Sequence, residues 1–98
     1  MIIVREVFTA KPGQASKLAK LFKKMNAKDK NVRIMTDLVG EYNTVIMETE
    51  MKNLAEFEKM MQEYKSGKQM EMNPDLMNEM ANYHEMFLFG KREIFNIE

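Results

Sequence analysis

Ile2-Ile3-Val4-Arg5-Glu6-Val7-Phe8-Thr9-Ala10, followed by Lys11-Pro12-Gly13, is the stretch that decides the fold. Branched and aromatic side chains favour a strand, and Pro-Gly closes it with a turn. Alternate residues of a strand share a face, so Ile2, Val4 and Phe8 lie on one side and Ile3 and Val7 on the other. Each side is apolar with one charge set into it, Glu6 or Arg5. A strand with one wet face alternates more cleanly than this. The segment therefore reads as a central strand covered on both sides.

Working outward, residues 14–26 carry Ala15, Leu18, Ala19, Phe22 and Met25 at helical spacing. The opposite side holds Lys17, Lys20, Lys23, Lys24 and Lys28, the pattern of a solvated helix face with its cations favoured near the negative end of the dipole. Val32, Ile34 and Leu38 alternate through a second strand, 32–39. Gly40-Glu41-Tyr42-Asn43 supplies a hairpin, with Gly and Asn suited to positive φ. A third strand, 44–50, sets Val45, Met47 and Thr49 on one face and Ile46, Glu48 and Glu50 on the other. Glu48, in mid-strand, calls for a cationic partner among Arg5, Arg33 and Arg92. Asn53, with Glu56 three residues on, caps a second helix over 54–64, whose stripe is Leu54, Phe57, Met61 and Tyr64. Ser66-Gly67-Lys68 stops it. Asn73-Pro74-Asp75 starts a short extra helix, and a long final strand covers 86–97, with Gly90 expected to bulge or bend it.

Twice, then, the rhythm passes from strand to helix and back to strand. The chain reads as one α+β domain over residues 1–98, a ferredoxin-like βαββαβ arrangement with a short extra helix before the last strand. The first and third strands are its centre. Such a sheet has helices on one side only, and no segment remains to cover the other side.

Composition narrows the functions. A chain of 98 residues buries only about two thirds of its unfolded surface, so association would add useful burial. Net charge is zero, which argues against a nucleic-acid partner held by bulk electrostatics. Residues 1–49 hold nine Lys/Arg against five Asp/Glu, and residues 50–98 hold six against ten, so the halves are oppositely charged and attract. Cysteine is absent, which excludes disulfide and thiolate chemistry. No apolar run approaches the roughly 18 residues of a membrane span, and the apolar start is too short for a signal-peptide core. A soluble, cytoplasmic protein without a membrane or nucleic-acid partner is expected.

No phosphate-cradling glycine loop, nucleophile elbow or His-Glu-x-x-His occurs. No metal and no cofactor are expected. His84, between Tyr83 and Glu85 where the extra helix meets the last strand, is the one side chain that titrates near neutral pH, and it is the catalytic candidate. Tyr42, Tyr64 and Tyr83 are candidate polar groups of an apolar pocket. The ordinary alternatives are a polar residue at an element end and core rings whose hydroxyls reach water. Twelve methionines admit three readings: a soft-metal site, an adaptable groove, or flexible packing. Helical spacing of Met60, Met61, Met77 and Met80 favours packing.

The run from Val4 to Gly13, leading into an amphipathic helix, resembles the opening of NIPSNAP-type domains. Gly40-Glu41-Tyr42-Asn43-Thr44-Val45 followed by Asn53-Leu54-Ala55-Glu56-Phe57 is similar to the same group. The group belongs to the dimeric α/β-barrel superfamily, with the antibiotic-biosynthesis monooxygenases and the haem-degrading monooxygenases. The resemblance implies two sheets packed face to face across a two-fold axis, with a pocket between sheet and helices in each subunit. Haem-degrading members use an asparagine, a tryptophan and a histidine, and this chain has no tryptophan. The expectation is a homodimer that binds a small apolar organic ligand. The alternatives are a cofactor-independent monooxygenase of the antibiotic-biosynthesis type and a structural dimerisation module.

Overall fold

A computed structural model describes residues 1–65 and 74–98. The stop at Ser66-Gly67-Lys68 and the cap at Asn73 lie outside the described residues. Along the chain run β1 (Ile2–Ala10), α1 (Ala15–Met25), β2 (Val32–Thr36), β3 (Thr44–Met51), α2 (Leu54–Lys65), α3 (Pro74–Ala81), a 3₁₀ turn (Tyr83–Glu85) and β4 (Phe87–Asn96). The strands form one antiparallel sheet in the order β2-β3-β1-β4. The ferredoxin-like order is thus the one expected, with β1 and β3 central.

The helix-side face holds the core. Leu18, Ala19 and Phe22 of α1 pack on Ala10 and Val45, all buried. A second small cluster joins Ile2, Val4 and Met51 to Phe57 and Met60 of α2. Each fully buried Leu or Phe contributes roughly 1.5–3 kcal/mol, so α1 anchors the layer. By contrast α2 buries none of its residues, and Leu54, expected on its inward stripe, is exposed. Its inward side is Phe57, Met60 and Met61, shifted round the helix from the stripe read from spacing. The cap is as expected: the Asn53 side-chain oxygen accepts the Glu56 backbone N–H at 3.0 Å.

The end of β2 and the place of the β4 irregularity differ from the sequence reading. β2 ends at Thr36, because the backbone N–H of Asp37 donates to the Thr44 carbonyl and the Asp37 carboxylate accepts the Thr44 N–H. Leu38 and Val39 therefore leave the sheet, each 96% exposed. The hairpin itself follows expectation, with Asn43 at φ 65°. In β4 the irregularity is not at Gly90. Thr9 pairs with Phe89 and Ala10 with Phe87, so the extra residue is Leu88. Gly90 serves a different need: a Cβ there would stand 2.9 Å from Cδ1 of Phe8, which lies across it.

The two faces of β1 differ within the single chain. Ile2, Val4 and Ala10 are buried, whereas Ile3, Arg5, Val7 and Thr9 are half-buried on a face that no helix covers. Arg5 and Arg33 both reach Glu48 there, at 3.4 and 3.2 Å. Two of the three partners proposed for Glu48 are thus correct. Arg92 faces the other way.

Candidate functional site

On the helix side, α1 and α2 do not close over the middle of the sheet, and a cleft of about 700 Å³ remains between them. Its volume falls within the range of small-molecule sites. The floor is Val4, Glu6 and Phe8 of β1 with Met47 and Thr49 of β3. Phe22 and Met25 come from α1, and Met60, Met61 and Tyr64 from α2. α3 gives Met80, and the 3₁₀ turn gives Tyr83. Methionines from four elements therefore meet at one cleft and line it. Met25 and Met47 also pack against the main core cluster and Met60 against the second, as the packing reading expects. A flexible, polarisable thioether wall adapts to differently shaped guests and makes favourable contacts with rings.

An aromatic cluster shapes one wall. Phe8 lies 5.1 Å from Phe22 and 4.8 Å from Phe87, centroid to centroid. Tyr83 is 6.3 Å from Phe22 and 5.7 Å from Phe87. These spacings suit tilted and edge-on ring pairs, which hold the wall rigid. Gly90 makes room for it by letting Phe8 lie flat over β4.

Polar groups gather at the same place. Glu6 and Arg92 are directly opposite in the β1–β4 register, and Arg92 Nε donates to a Glu6 oxygen at 2.5 Å. The Arg92 guanidinium also lies over the ring of Phe57, 5.4 Å from its centroid. Burial pushes the Tyr83 phenol above its ordinary range. Tyr64 adds to this through its charge and a side-chain hydrogen bond, and the negative charge of Glu6 adds further. Tyr83 is therefore held as a neutral hydroxyl able to donate. At the other end of the cleft the Asn26 amide donates to the Phe22 carbonyl at 2.8 Å and reaches the Met47 sulfur at 3.3 Å.

The four residues singled out from sequence separate into two pairs. Tyr64 and Tyr83 both line the cleft. Tyr42 sits on the hairpin tip, 86% exposed, far from any wall of the cleft's lining set. His84 is exposed, with its ring edge-on to Tyr83 at 6.1 Å, and it is not among the residues that line the cleft. Sequence reasoning missed Glu6 and Arg92 as site residues. Glu6 carried a usable signal, being the one charge on an otherwise apolar strand face. Arg92 carried none without the register, since its pairing opposite Glu6 decides which strand face it joins. Among the described residues, no cluster of three or more His, Cys, Asp or Glu is arranged to hold a metal ion. No described helix is long and apolar enough to cross a membrane.

No protein-family model and no curated protein sequence matches the chain. Solved structures do. A NIPSNAP family protein from Agrobacterium tumefaciens superposes with a TM-score of 0.72 at 13% identity, covering 99% of this chain and 92% of that one. An uncharacterised NIPSNAP domain protein from Burkholderia xenovorans gives 0.71 at 8% identity, over 100% and 95%. A putative antibiotic biosynthesis monooxygenase from Deinococcus radiodurans gives 0.61 at 10% identity, over 100% and 93%. At such identities the likeness is one of fold, and the fold is the one that the resemblance to NIPSNAP-type domains implied.

Proposed function

We propose that the protein binds a small, largely apolar organic ligand in the cleft between sheet and helices. The observation that carries this reading is the convergence of Met25, Met47, Met60, Met61 and Met80 on one cavity beside a polar group of Tyr64, Tyr83, Glu6 and Arg92. An apolar cavity with a few convergent polar groups is the usual form of a small-molecule site. A thermal-shift screen of aromatic and aliphatic compounds tests it. A ligand that binds only the folded state raises stability, by about 2.7 kcal/mol at a hundred times its Kd. Met61→Trp, which fills the cleft from α2, is expected to abolish those shifts. Shifts that survive Met61→Trp unchanged would place binding elsewhere.

The working unit in this proposal is a homodimer joined through the uncovered sheet face. That face sets Ile3, Val7, Ile46 and Met35 around Arg5, Glu48 and Arg33, with Phe89 and Phe95 exposed at its β4 side. Both charge signs on one patch make it self-complementary about a two-fold axis. Sedimentation equilibrium is expected to give twice the chain mass at micromolar concentration, and Ile46→Asp to give the chain mass. A wild-type monomer at that concentration would remove the dimer from the proposal.

A second reading, a cofactor-independent monooxygenase, is favoured by one observation: the cleft holds a carboxylate, Glu6, next to neutral Tyr83. A carboxylate in a largely apolar cavity is suited to taking a proton from an electron-rich aromatic substrate. Dioxygen would then convert an activated methylene to a carbonyl, one oxygen entering the product and the other leaving as water with the two hydrogens. Oxygen uptake with such substrates, lost in Glu6→Gln, supports it. Binding without uptake leaves the ligand-binding reading alone, and a cleft that takes no ligand leaves a structural dimerisation module.

A further inference from the structure

Among the described residues, Arg92 is the one cation lining the tyrosine end of the cleft, and its bonding to them is incomplete. Its Nε is taken by Glu6, and its plane is fixed over Phe57. Its two Nη amines, with four N–H groups, meet no protein acceptor among the described residues. The side chain is less than half exposed, at 42%, and lines the cleft. A guanidinium held by a carboxylate on its Nε side presents its Nη edge as a preformed fork. Carboxylates fit that fork through two parallel charge-assisted bonds. Tyr83 lines the same cleft, its hydroxyl hydrogen-bonded with Tyr64. Among the described residues that line this end of the cleft, Glu6 is the one carboxylate, and it already serves Arg92.

We propose that the ligand is an organic acid, its hydrocarbon or ring body lying on the methionine and phenylalanine wall and its carboxylate received by the Nη edge of Arg92. The inference rests on the ligand-binding reading above and names the chemical class of the ligand. Arg92 is the specificity residue and Glu6 its positioning residue. Glu6 orients the guanidinium at some cost in repulsion to a second carboxylate.

Matched probes separate the head group from the body: 2-naphthoate, 2-naphthylmethanol and 2-naphthylmethylamine, with decanoate and decanol as the aliphatic pair. Calorimetric titration into the full chain is expected to give at least tenfold tighter binding for one of the acids than for its alcohol. In Arg92→Gln that preference disappears while the alcohol's affinity stays within twofold. In Arg92→Lys, which keeps charge and loses the fork, the acid loses several-fold. Glu6→Gln, which keeps the size and removes the repulsion, binds the acid as tightly as wild type or several-fold tighter. Circular dichroism checks that each variant is folded, and the lysine variant carries the test if the glutamine variant is not.

An alcohol bound as tightly as the acid overturns the acid proposal and leaves the cleft a ligand site. The same holds for an amine that binds best, with Glu6 then the receiving group. An acid preference that survives both Arg92 variants also overturns it. If none of the five probes binds, the proposal and the ligand-binding reading beneath it fall together.

Discussion

The two faces of the sheet carry the same kind of ion pair and treat it differently. On the uncovered face Glu48 is shared by Arg5 and Arg33, in a ladder across three strands. On the helix side Glu6 has Arg92 alone, beside rings and thioethers. The adjacent residues Arg5 and Glu6 thus send opposite charges to opposite faces. The ladder on the open side ties two arginines to one carboxylate among apolar neighbours. The pair on the helix side keeps unused donors and faces a hollow. In the proposed function the first face is covered by a second copy of the chain and the second is filled by a ligand.

The largest effect should separate the faces by what their burial supports. Phe22→Ala removes a fully buried ring from under α1, and urea unfolding should record a loss of about 3–5 kcal/mol. Ile46→Ala, half-buried on the open face, should cost about 1 kcal/mol, in a manner that depends on protein concentration. An equal, concentration-independent loss at both positions would break the contrast. Next, Glu48→Ala leaves two guanidinium groups facing each other, one with a buried Nε that makes no hydrogen bond. Both arginines are more than a third exposed or close to it, so the loss should be about 1–2 kcal/mol, below the value for a fully buried pair.

Gly90→Ala tests the aromatic wall alone. The new methyl must displace Phe8, and overpacking costs about 1–3 kcal/mol, partly offset by the better strand conformation of alanine. The net change should be about 1 kcal/mol, with ligand affinity altered more than stability. The smallest effect is a pH effect. Tyr83 has a folded-state pKa raised above the ordinary 10.0, so its contribution is fully present below pH 10 and is lost as pH rises through the folded value. Between pH 9 and 12 wild type should lose more stability than Tyr83→Phe. Parallel curves would mean that Tyr83 meets the same surroundings folded and unfolded.

Much of this contrast was legible in the sequence because periodicity reports faces. The stripe of Leu18, Ala19 and Phe22 located the core, and the charge set into each side of β1 marked both faces as unusual. Periodicity does not report where pairing stops, and Leu38 and Val39 kept the alternation after Asp37 and Thr44 had turned the backbone away. Nor does it report register. Arg92 was a plausible partner for Glu48 until the register set it opposite Glu6, on the helix side. Tyr64 and Tyr83 were found because each sits on a helical or turn position facing inward. Tyr42 and His84 share their chemistry but belong to a hairpin tip and an exposed turn.

β1 lies between β3 and β4, with Ile2 opposite Met51 on one side and Asn96 on the other. The Ile97 N–H even donates to the Met1 carbonyl at 3.1 Å. During synthesis, therefore, the β1 edge that pairs with β4 stays unpaired until β4, much later in the chain, has emerged. Long-range pairing of this kind is slow and leaves a sticky intermediate. The charges at Arg5 and Glu6 then have a use in time as well as in space, since a strand interrupted by two charges is a poor template for another unfinished chain.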